Sequence, residues 1–228
     1  MKHGITIAID GLSSCGKSSF AKALAHELGY IYVDTGAMYR ALTFAFLEAG
    51  IHNPDSLSTE ELSKFLSEHK IDFLATNNES QVRCNGQLLG DTIRSAQVNA
   101  LVSRVAALPA VRKALVEQQR HIGENGAIVM DGRDIGQTVF PHAELKIFMT
   151  ARPEVRAQRR FDELTAKGIA TTFDEVLANL QYRDHVDQTR SCDPMRKADD
   201  AIELDNSDMT PEQQMTWILP IVQAKMPK

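Results

Sequence analysis

Cysteine is scarce in this sequence. The three cysteines, Cys15, Cys84 and Cys192, are odd in number and widely separated in a chain of 228 residues. This arrangement excludes a disulfide framework and a zinc site built from closely paired ligands. It favours a reducing compartment over a secreted location.

Long apolar runs are also absent. The N-terminal segment Met1–Gly11 has a short apolar run that ends at Asp10, without the length of a signal peptide or a small-residue cleavage site. No stretch approaches the roughly 18 apolar residues that a membrane-spanning helix needs. We therefore expect a soluble, cytoplasmic protein with no membrane partner.

The sequence has no excess of positive charge. Its 25 basic and 30 acidic residues give a formal net charge of −5, and its pI is about 5.8. This balance argues against a broad basic surface for duplex nucleic acid or anionic lipid. The hydrophobic fraction of 43% and the charged fraction of 24% are ordinary for a globular chain. The length fits one domain enlarged by insertions, since domains average about 150 residues.

Five short apolar runs, each ending in a polar or acidic residue, punctuate the chain. They are Ile5–Asp10, Tyr30–Asp34, Ala127–Asp131, Leu145–Thr150 and Ala201–Asp205. Such runs are typical of parallel strands buried on both faces. Helical patterns lie between them, as where Phe20, Leu24 and Leu28 recur before Gly29. The alternation predicts an α/β domain whose ligands bind outside the carboxyl ends of the strands.

Residues 53–120 interrupt this alternation and predict an inserted subdomain. Ser58–His69 has the pattern of a capped helix, with Glu61 in the position of a capping box. Short antiparallel strands are predicted at Ile71–Ala75, Gln81–Cys84 and Gln87–Leu89. An Asn85-Gly86 turn joins the last two strands, and two helical stretches then meet at Pro109.

A second exception is the segment from Arg152 to Gly168, which is basic at its start and polar throughout. This composition favours a mobile lid over anionic ligands rather than a core helix. The predicted organisation is a single domain with its core at residues 1–52, 121–151 and 169–228, an insert at about 53–120 and a lid at about 152–168.

One motif carries specific chemistry. Gly11–Ser18 reads GLSSCGKS, which matches G-x-x-x-x-G-K-[ST] between a predicted strand and a predicted helix. Such a loop turns successive backbone N–H groups inward, and the helix directs the positive end of its dipole at phosphates. Lys17 would reach the β and γ phosphates, and Ser18 would place its hydroxyl on Mg²⁺. A chance glycine-rich turn is the alternative, which the spacing and context disfavour.

The rest of the sequence narrows the class of phosphate-loop protein. It has no Asn-Lys-x-Asp guanine-reading motif, and it is shorter and more acidic than is usual for a nucleic-acid motor. The sequence has instead many arginines with carboxylates among them. The arginines are Arg40, Arg112, Arg133, Arg156, Arg159, Arg160, Arg183 and Arg190, and the carboxylates are Asp131, Asp134, Asp184 and Asp187. Because arginine forks bind phosphate oxygens bidentately, this set indicates two phosphorylated ligands held face to face.

Six segments together resemble one known family. They are IAIDGLSSCGKSS at Ile7–Ser19, VDTGAMYRA at Val33–Ala41, VAALPAVRKAL at Val105–Leu115, VMDGRDIGQTVFP at Val129–Pro141, RAQRR at Arg156–Arg160, and the run from Arg183 through Asp187 to Arg190. In this order, over nearly the whole chain, the sequence is similar to the bacterial cytidylate (CMP) kinases, within the nucleoside monophosphate kinases. The resemblance implies a phosphate-loop NTPase core with a five-stranded parallel sheet, a monophosphate-binding insert and a lid. It also implies ATP and Mg²⁺ as cofactors, CMP and dCMP as substrates in pyrimidine nucleotide metabolism, and we expect a monomer.

The resemblance also implies roles for individual residues. The ATP-binding loop would comprise Gly11, Leu12, Ser13, Ser14, Cys15, Gly16, Lys17, Ser18 and Ser19. The acceptor would be bound by Thr35 near sugar or phosphate, Arg40, Arg133 and Arg183 on phosphate, Ser103, Arg112 and Asp134 on the cytosine edge, Asp187 with Arg183 on ribose, and Arg190 beside the acceptor. Catalysis would rest on Lys17, Arg133 and the lid arginines Arg156, Arg159 and Arg160.

Several assignments keep an alternative. The three lid arginines could form only a solvated helix face. Asp131 and Asp10 could each hold a magnesium-bound water or merely orient a loop, and Arg112 could be a surface arginine beside an apolar helix. Cys15 fits best as a small filler, with a redox role as the alternative. Leu12 and Ser14, where the family usually has proline and glycine, put the rigidity of the loop in doubt.

The base assignment agrees with elementary chemistry. Cytosine has an amino donor beside a ring-nitrogen acceptor, which a carboxylate and an arginine complement, whereas uracil reverses both positions. The open alternatives for function are a related small-molecule kinase, for UMP/CMP or shikimate, and a catalytically idle ATP-binding module. A pure sensor would not need a second phosphate site.

Overall fold

The fold is known from a computed structural model, which describes residues 4–76 and 79–227. The strands are β1 (Thr6–Gly11), β2 (Ile31–Asp34), β3 (Ile71–Thr76), β4 (Glu79–Cys84), β5 (Gln87–Leu88), β6 (Ile128–Asp131), β7 (Leu145–Thr150) and β8 (Ile202–Asp205). The helices are α1 (Lys17–Leu28), α2 (Thr35–Glu48), α3 (Thr59–Glu68), α4 (Ala96–Ala107), α5 (Pro109–Ile122), α6 (Pro153–Ala166), α7 (Phe173–Thr189) and α8 (Pro211–Lys225).

The central sheet is parallel, five-stranded and ordered β2-β6-β1-β7-β8. All five predicted apolar runs are its strands, which confirms the predicted α/β fold. Because the strands are parallel, their carboxyl ends lie at one edge, where Gly11, Asp131 and Asp205 end their strands. Ligands of such sheets bind at this edge.

Helices cover both faces of the sheet. On one face, Ile7 and Ile9 of β1 are buried with Leu24 of α1 and Ile218 of α8. On the other face, Ala8, the next side chain along β1, is buried in a cluster that includes residues of β6 and α5. The alternation of side chains along a strand explains why neighbouring residues of β1 enter different cores.

The insert has a second core. Phe46 of α2 stacks on Phe65 of α3 with ring centroids 4.1 Å apart. The predicted capping box of Ser58 and Glu61 is present, and β3, β4 and β5 form the predicted antiparallel sheet. Because α2 begins directly after β2 of the central sheet and also packs in this cluster, it connects the predicted insert to the sheet.

The segment predicted to be a lid contains helix α6, and one part of this helix packs on α7. Ala157 of α6 is buried against Val176 and Leu180 of α7. Arg156 is also buried, because it pairs with Asp184 of α7 at 2.6 Å. This packing was not predicted from the polar composition of the segment, because arginine is usually exposed and is buried only where it has a partner such as a carboxylate. No helix in the described ranges is long and apolar enough to cross a bilayer.

Gly11 gives the first prediction. Its φ is +141°, and a Cβ atom there would lie 1.9 Å from the carbonyl oxygen of Met149. We expect Gly11→Ala to lower the free energy of unfolding by about 3 kcal/mol or more, because backbone strain and a steric clash act together. Gly50 is the control, since its φ is +74° with open space around it, so Gly50→Ala should cost only about 1 kcal/mol. Urea denaturation measures both, and equal costs would contradict the steric account.

Candidate active site

A cleft of about 1030 Å³ lies at the carboxyl edge of the sheet. The predicted site residues that line it are Ser14, Cys15, Gly16, Lys17, Ser18, Ser19, Thr35, Arg40, Ser103, Arg112, Arg133, Asp134, Arg160, Arg183, Asp187 and Arg190. Gly11, Leu12, Ser13 and Arg156 lie outside this lining, and Arg159 lines a smaller cavity beside the loop. The structure thus brings most of the predicted set together in one place.

The phosphate loop connects β1 to α1. Gly16 is the N-cap of α1, with φ of +90°, and it has no side chain that could cap the first N–H groups of the helix. Gly16, Lys17 and Ser18 line the cleft, so the N-terminus of α1 lies at the cleft. Lys17 Nζ donates to the carbonyl of Leu12 at 2.6 Å. Burial, and then the charge of Arg133, lower the pKa of Lys17. A polyphosphate in the loop would favour its charged form.

Side chains from distant parts of the chain hold this loop. The N–H of Ser13 donates to Asp184 Oδ1 at 2.8 Å, and Asn206 Nδ2 donates to the carbonyl of Cys15 at 2.8 Å. Ser14 has φ of +56°, the left-handed region that favours glycine. Sequence reasoning did not assign Asp184 or Asn206, although Asn206 directly follows the carboxyl end of β8. The Cys15 side chain is fully buried, which fits its interpretation as a small filler.

The residues beside Lys17 fit a divalent cation. Ser18 Oγ donates to Asp131 Oδ2 at 2.9 Å, and the Tyr32 hydroxyl donates to Asp131 Oδ1 at 2.9 Å. Burial, and then the charge of Asp34, raise the pKa of Asp131 to about 7. Hard oxygen donors of this kind suit Mg²⁺. The described part of the chain has no group of three or more His, Cys, Asp or Glu side chains that could hold a metal, so a cation here would also need ligand or water oxygens.

Asp10 lies one residue before the end of the neighbouring strand β1 and has a different role. Its two oxygens accept the N–H groups of Ile135 and Gly136, each at 2.7 Å. Burial raises the pKa of Asp10 to about 6 in spite of these bonds. Asp10 therefore orients the loop after β6, and it lies outside the lining of the cleft.

Three arginines of the cleft lining, Arg40, Arg133 and Arg183, lie close enough to affect one another's charge. Arg133 donates to Asp187 Oδ2 at 2.8 Å and to Ser13 Oγ at 3.0 Å. Burial, and then the charge of Arg183, lower the pKa of Arg40 to about 9. Burial, and then the charge of Arg133, lower the pKa of Arg183 to about 10. Arg183 Nε is buried without a hydrogen-bond partner in the described structure. Such a cluster is suited to bind a multiply charged anion.

Arg112 and Asp134, which also line the cleft, form a buried pair. Arg112 Nη2 donates to Asp134 Oδ2, and Arg190 Nη2 donates to Asp134 Oδ1 at 2.8 Å. Arg112 is 1% exposed, so the alternative of a surface arginine is wrong. Ser103 of α4 is also buried here. Thr35 lines the cleft as well, and its hydroxyl donates to the Asp131 carbonyl at 2.7 Å.

The three arginines of α6 point to different places, so they are not merely a solvated face. Arg156 Nη1 donates to Asp184 Oδ2 at 2.6 Å and to the carbonyl of Ser13 at 2.9 Å, beneath the phosphate loop. Arg159 donates to the Asn206 side chain at 3.0 Å and to its carbonyl at 2.9 Å. Arg160 lines the cleft and pairs with Glu163 at 2.7 Å. Only Arg160 has the location expected of a residue that contacts the transferred group.

Comparisons with known proteins identify the family of this chain. The sequence matches the family model described as cytidylate kinase over residues 7–224. The cytidylate kinase of Bacteroides thetaiotaomicron is 53% identical over 216 residues, which is 94% of each chain, and that of Porphyromonas gingivalis is 54% identical over 222 residues, which is 96% of each chain. A solved structure of an uncharacterized protein from Eubacterium ventriosum aligns with a TM-score of 0.51 and 12% identity, covers 96% of this chain and 98% of its own, and shows similarity of fold alone. The chain therefore belongs to the cytidylate kinase family.

Proposed function

We propose that this protein transfers the γ-phosphoryl group of ATP to CMP or dCMP, with ADP and CDP or dCDP as products. The observation that carries the proposal is that three groups line one cleft. They are the phosphate loop, the cluster of Arg40, Arg133 and Arg183, and the buried Arg112–Asp134 pair. The cluster is joined to the loop, because Arg133 donates to Ser13 Oγ at 3.0 Å. The names of its relatives support the same reaction.

The donor nucleotide would occupy the phosphate loop. Backbone N–H groups of the loop and the start of α1 would bind the phosphates, with Lys17 on the β and γ oxygens. The adjoining cavity of about 210 Å³ is lined by Arg159, Met209, Pro211 and Met215 among others. We assign it to the donor base, because the guanidinium plane of Arg159 is fixed by Asn206 and planar guanidinium groups stack on aromatic rings.

Transfer itself would depend on position and charge. Arg40, Arg133 and Arg183 would hold the acceptor phosphate in line with the γ-phosphoryl group, and Lys17 and Arg160 would stabilise the charge on its equatorial oxygens. An acceptor phosphate is already ionised, so no strong general base is needed. Ser18 and Asp131 would hold Mg²⁺, which when bound neutralises charge on the donor phosphates.

The acceptor base would lie against Arg112 and Asp134. Asp134 would accept a hydrogen bond from the exocyclic amino group of cytosine, and Arg112 would donate to the ring nitrogen and the 2-oxo group. Ser103 would complete this edge, and Asp187 with Arg183 would contact the ribose. Shikimate has no base for this pair to read, and a non-catalytic module has no need of a second anion site, so the site favours neither alternative.

The role of Lys17 is tested by substitution. We expect Lys17→Ala to lower kcat by about 10²–10³-fold, because one preorganised cationic donor to the transition state is lost. Circular dichroism should show the wild-type fold. Lys64→Ala on α3 is the control, since Lys64 is exposed and outside the cleft. Near-normal turnover of Lys17→Ala in a coupled ADP-release assay would contradict the assignment.

The base assignment is tested by acceptor choice. UMP should be a poor acceptor, with a loss in kcat/KM relative to CMP that can reach about 10⁴-fold, because it would leave Arg112 and Asp134 unpaired in a buried site. A coupled assay with CMP, dCMP, UMP and AMP side by side measures this. Comparable kcat/KM values for UMP and CMP would remove the assignment.

The different positions of Arg156 and Arg160 predict different defects. Arg156→Ala should lower the free energy of unfolding by about 3–5 kcal/mol, because it leaves the buried carboxylate of Asp184 without its ionic partner. Arg160→Ala should change stability by less than about 1 kcal/mol, since its pair with Glu163 is partly exposed. It should instead lower kcat by about 10²-fold. Urea denaturation and steady-state assays on both variants separate these effects. A loss of stability in Arg160→Ala and a loss of turnover alone in Arg156→Ala would contradict the two assignments.

A further inference from the structure

Four residues at the base end of the cleft form a closed hydrogen-bonded ring. Arg112 donates to Asp134, Arg190 donates to the other oxygen of Asp134, and Arg190 Nε donates to the carbonyl of Asp193 at 2.8 Å. The ring closes where Arg112 Nε donates to Asp193 Oδ2 at 2.8 Å. Sequence reasoning had assigned Arg112, Asp134 and Arg190 to the acceptor, but it gave Asp193 no role.

Asp193 differs from the other members of the ring in its position. Arg112, Asp134 and Arg190 are buried and line the cleft. The side chain of Asp193 is 33% exposed and stands behind Arg112, outside the lining of the cleft. Two guanidinium groups and two carboxylates make the ring formally neutral, which suits a buried polar network.

The bonds of Arg112 leave it with a defined set of free donors. A guanidinium group has five N–H bonds. Nε donates to Asp193, Nη2 donates to Asp134, and Nη1 donates to the Tyr39 hydroxyl at 3.4 Å. One N–H bond therefore remains on each of the two terminal nitrogens. Two adjacent donors of this kind match the ring nitrogen and the 2-oxo group of cytosine, which both accept.

The backbone of Asp193 is fixed in an uncommon conformation. Its φ is +46°, in the left-handed region that aspartate and asparagine tolerate better than most residues. In this conformation the carbonyl of Asp193 accepts from Arg190 while its carboxylate accepts from Arg112. Burial opposes ionisation, but the hydrogen bond from Arg112 outweighs it and lowers the pKa of Asp193. The carboxylate is therefore ionised at neutral pH.

We propose that Asp193 is a positioning residue for recognition of the cytosine edge: by occupying Nε of Arg112, it keeps the terminal N–H groups of Arg112 and the carboxylate of Asp134 available to the base. The inference rests on the function proposed above. Without Asp193, Arg112 would turn both Nε and Nη2 onto Asp134. The carboxylate of Asp134 would then no longer be available to accept from Arg190 or from the amino group of the base.

Two substitutions of Asp193 separate the contribution of its acceptor oxygen from that of its backbone conformation. Asp193→Asn keeps an acceptor oxygen for Arg112, and asparagine tolerates the left-handed backbone. Asp193→Gly removes the acceptor and adopts the same backbone without strain. Asp199→Gly is the matched control, because Asp199 is an exposed aspartate on the same connecting segment.

We expect Asp193→Gly to raise KM for CMP about tenfold or more, since small misplacements of a positioning group have effects of this size. Values of kcat and of KM for ATP should stay within about twofold, because donor binding and transfer are unaffected. The preference for CMP over UMP in kcat/KM should fall with the loss of affinity. Asp193→Asn should restore most of the affinity for CMP, and Asp199→Gly should match the wild type. Calorimetric titration with CMP in the absence of ATP should rank the variants in the same order.

A double substitution tests whether Asp193 acts through Arg112. In an Arg112→Ala background, Asp193→Gly should change KM for CMP by less than about twofold, because the group that it positions is already gone. The proposal is overturned by an unchanged KM in Asp193→Gly, by equal losses in every kinetic parameter, by failure of Asp193→Asn to restore binding, or by an undiminished effect in the Arg112→Ala background. Failure of the wild type to phosphorylate CMP would instead refute the proposed function.

Discussion

The structure depends on holding several guanidinium groups close together in a partly buried cleft. Arg112, Arg133, Arg156 and Arg190 each pair with an aspartate. Arg40 and Arg183 form no ion pair within residues 4–76 and 79–227, and burial together with neighbouring arginines lowers the pKa of both. The paired arginines therefore build the walls, while the other two concentrate positive charge at one point. That point is where the proposed reaction requires two phosphate groups to meet.

Much of this architecture could be predicted from local patterns. The five apolar runs became the five strands, with bounds that agree within one residue, because burial on both faces leaves a continuous apolar signal. The Asn85-Gly86 turn and the capping box at Ser58 were also predicted, since each depends on residues close in sequence. The role of Arg112 and Asp134 at the cytosine edge was predicted only from the family resemblance, because the two residues come from α5 and from the loop after β6.

The remaining features depend on contacts across the chain. Asp10 and Asp131 both lie near the carboxyl ends of buried strands, yet one orients a loop and the other accepts a hydrogen bond from Ser18. Position at a strand end predicted where they lie but not what they bind. In the same way, helical spacing placed Arg156, Arg159 and Arg160 on one segment. The partners of Arg156 and Arg159 could not be predicted, because they lie on α7 and directly after β8, whereas Arg160 pairs with Glu163 of its own helix.

The position of Asn206 in the sequence affects when, during synthesis, the phosphate loop can be fixed in place. Its side-chain amide donates to the carbonyl of Cys15, 191 residues earlier in the chain, and to Gln214 of α8. The phosphate loop is translated before the amide that holds it, because Asn206 follows Cys15 by 191 residues. A growing chain thus exposes the GLSSCGKS sequence before this bond can form, so tight nucleotide binding is deferred until Asn206 has been added.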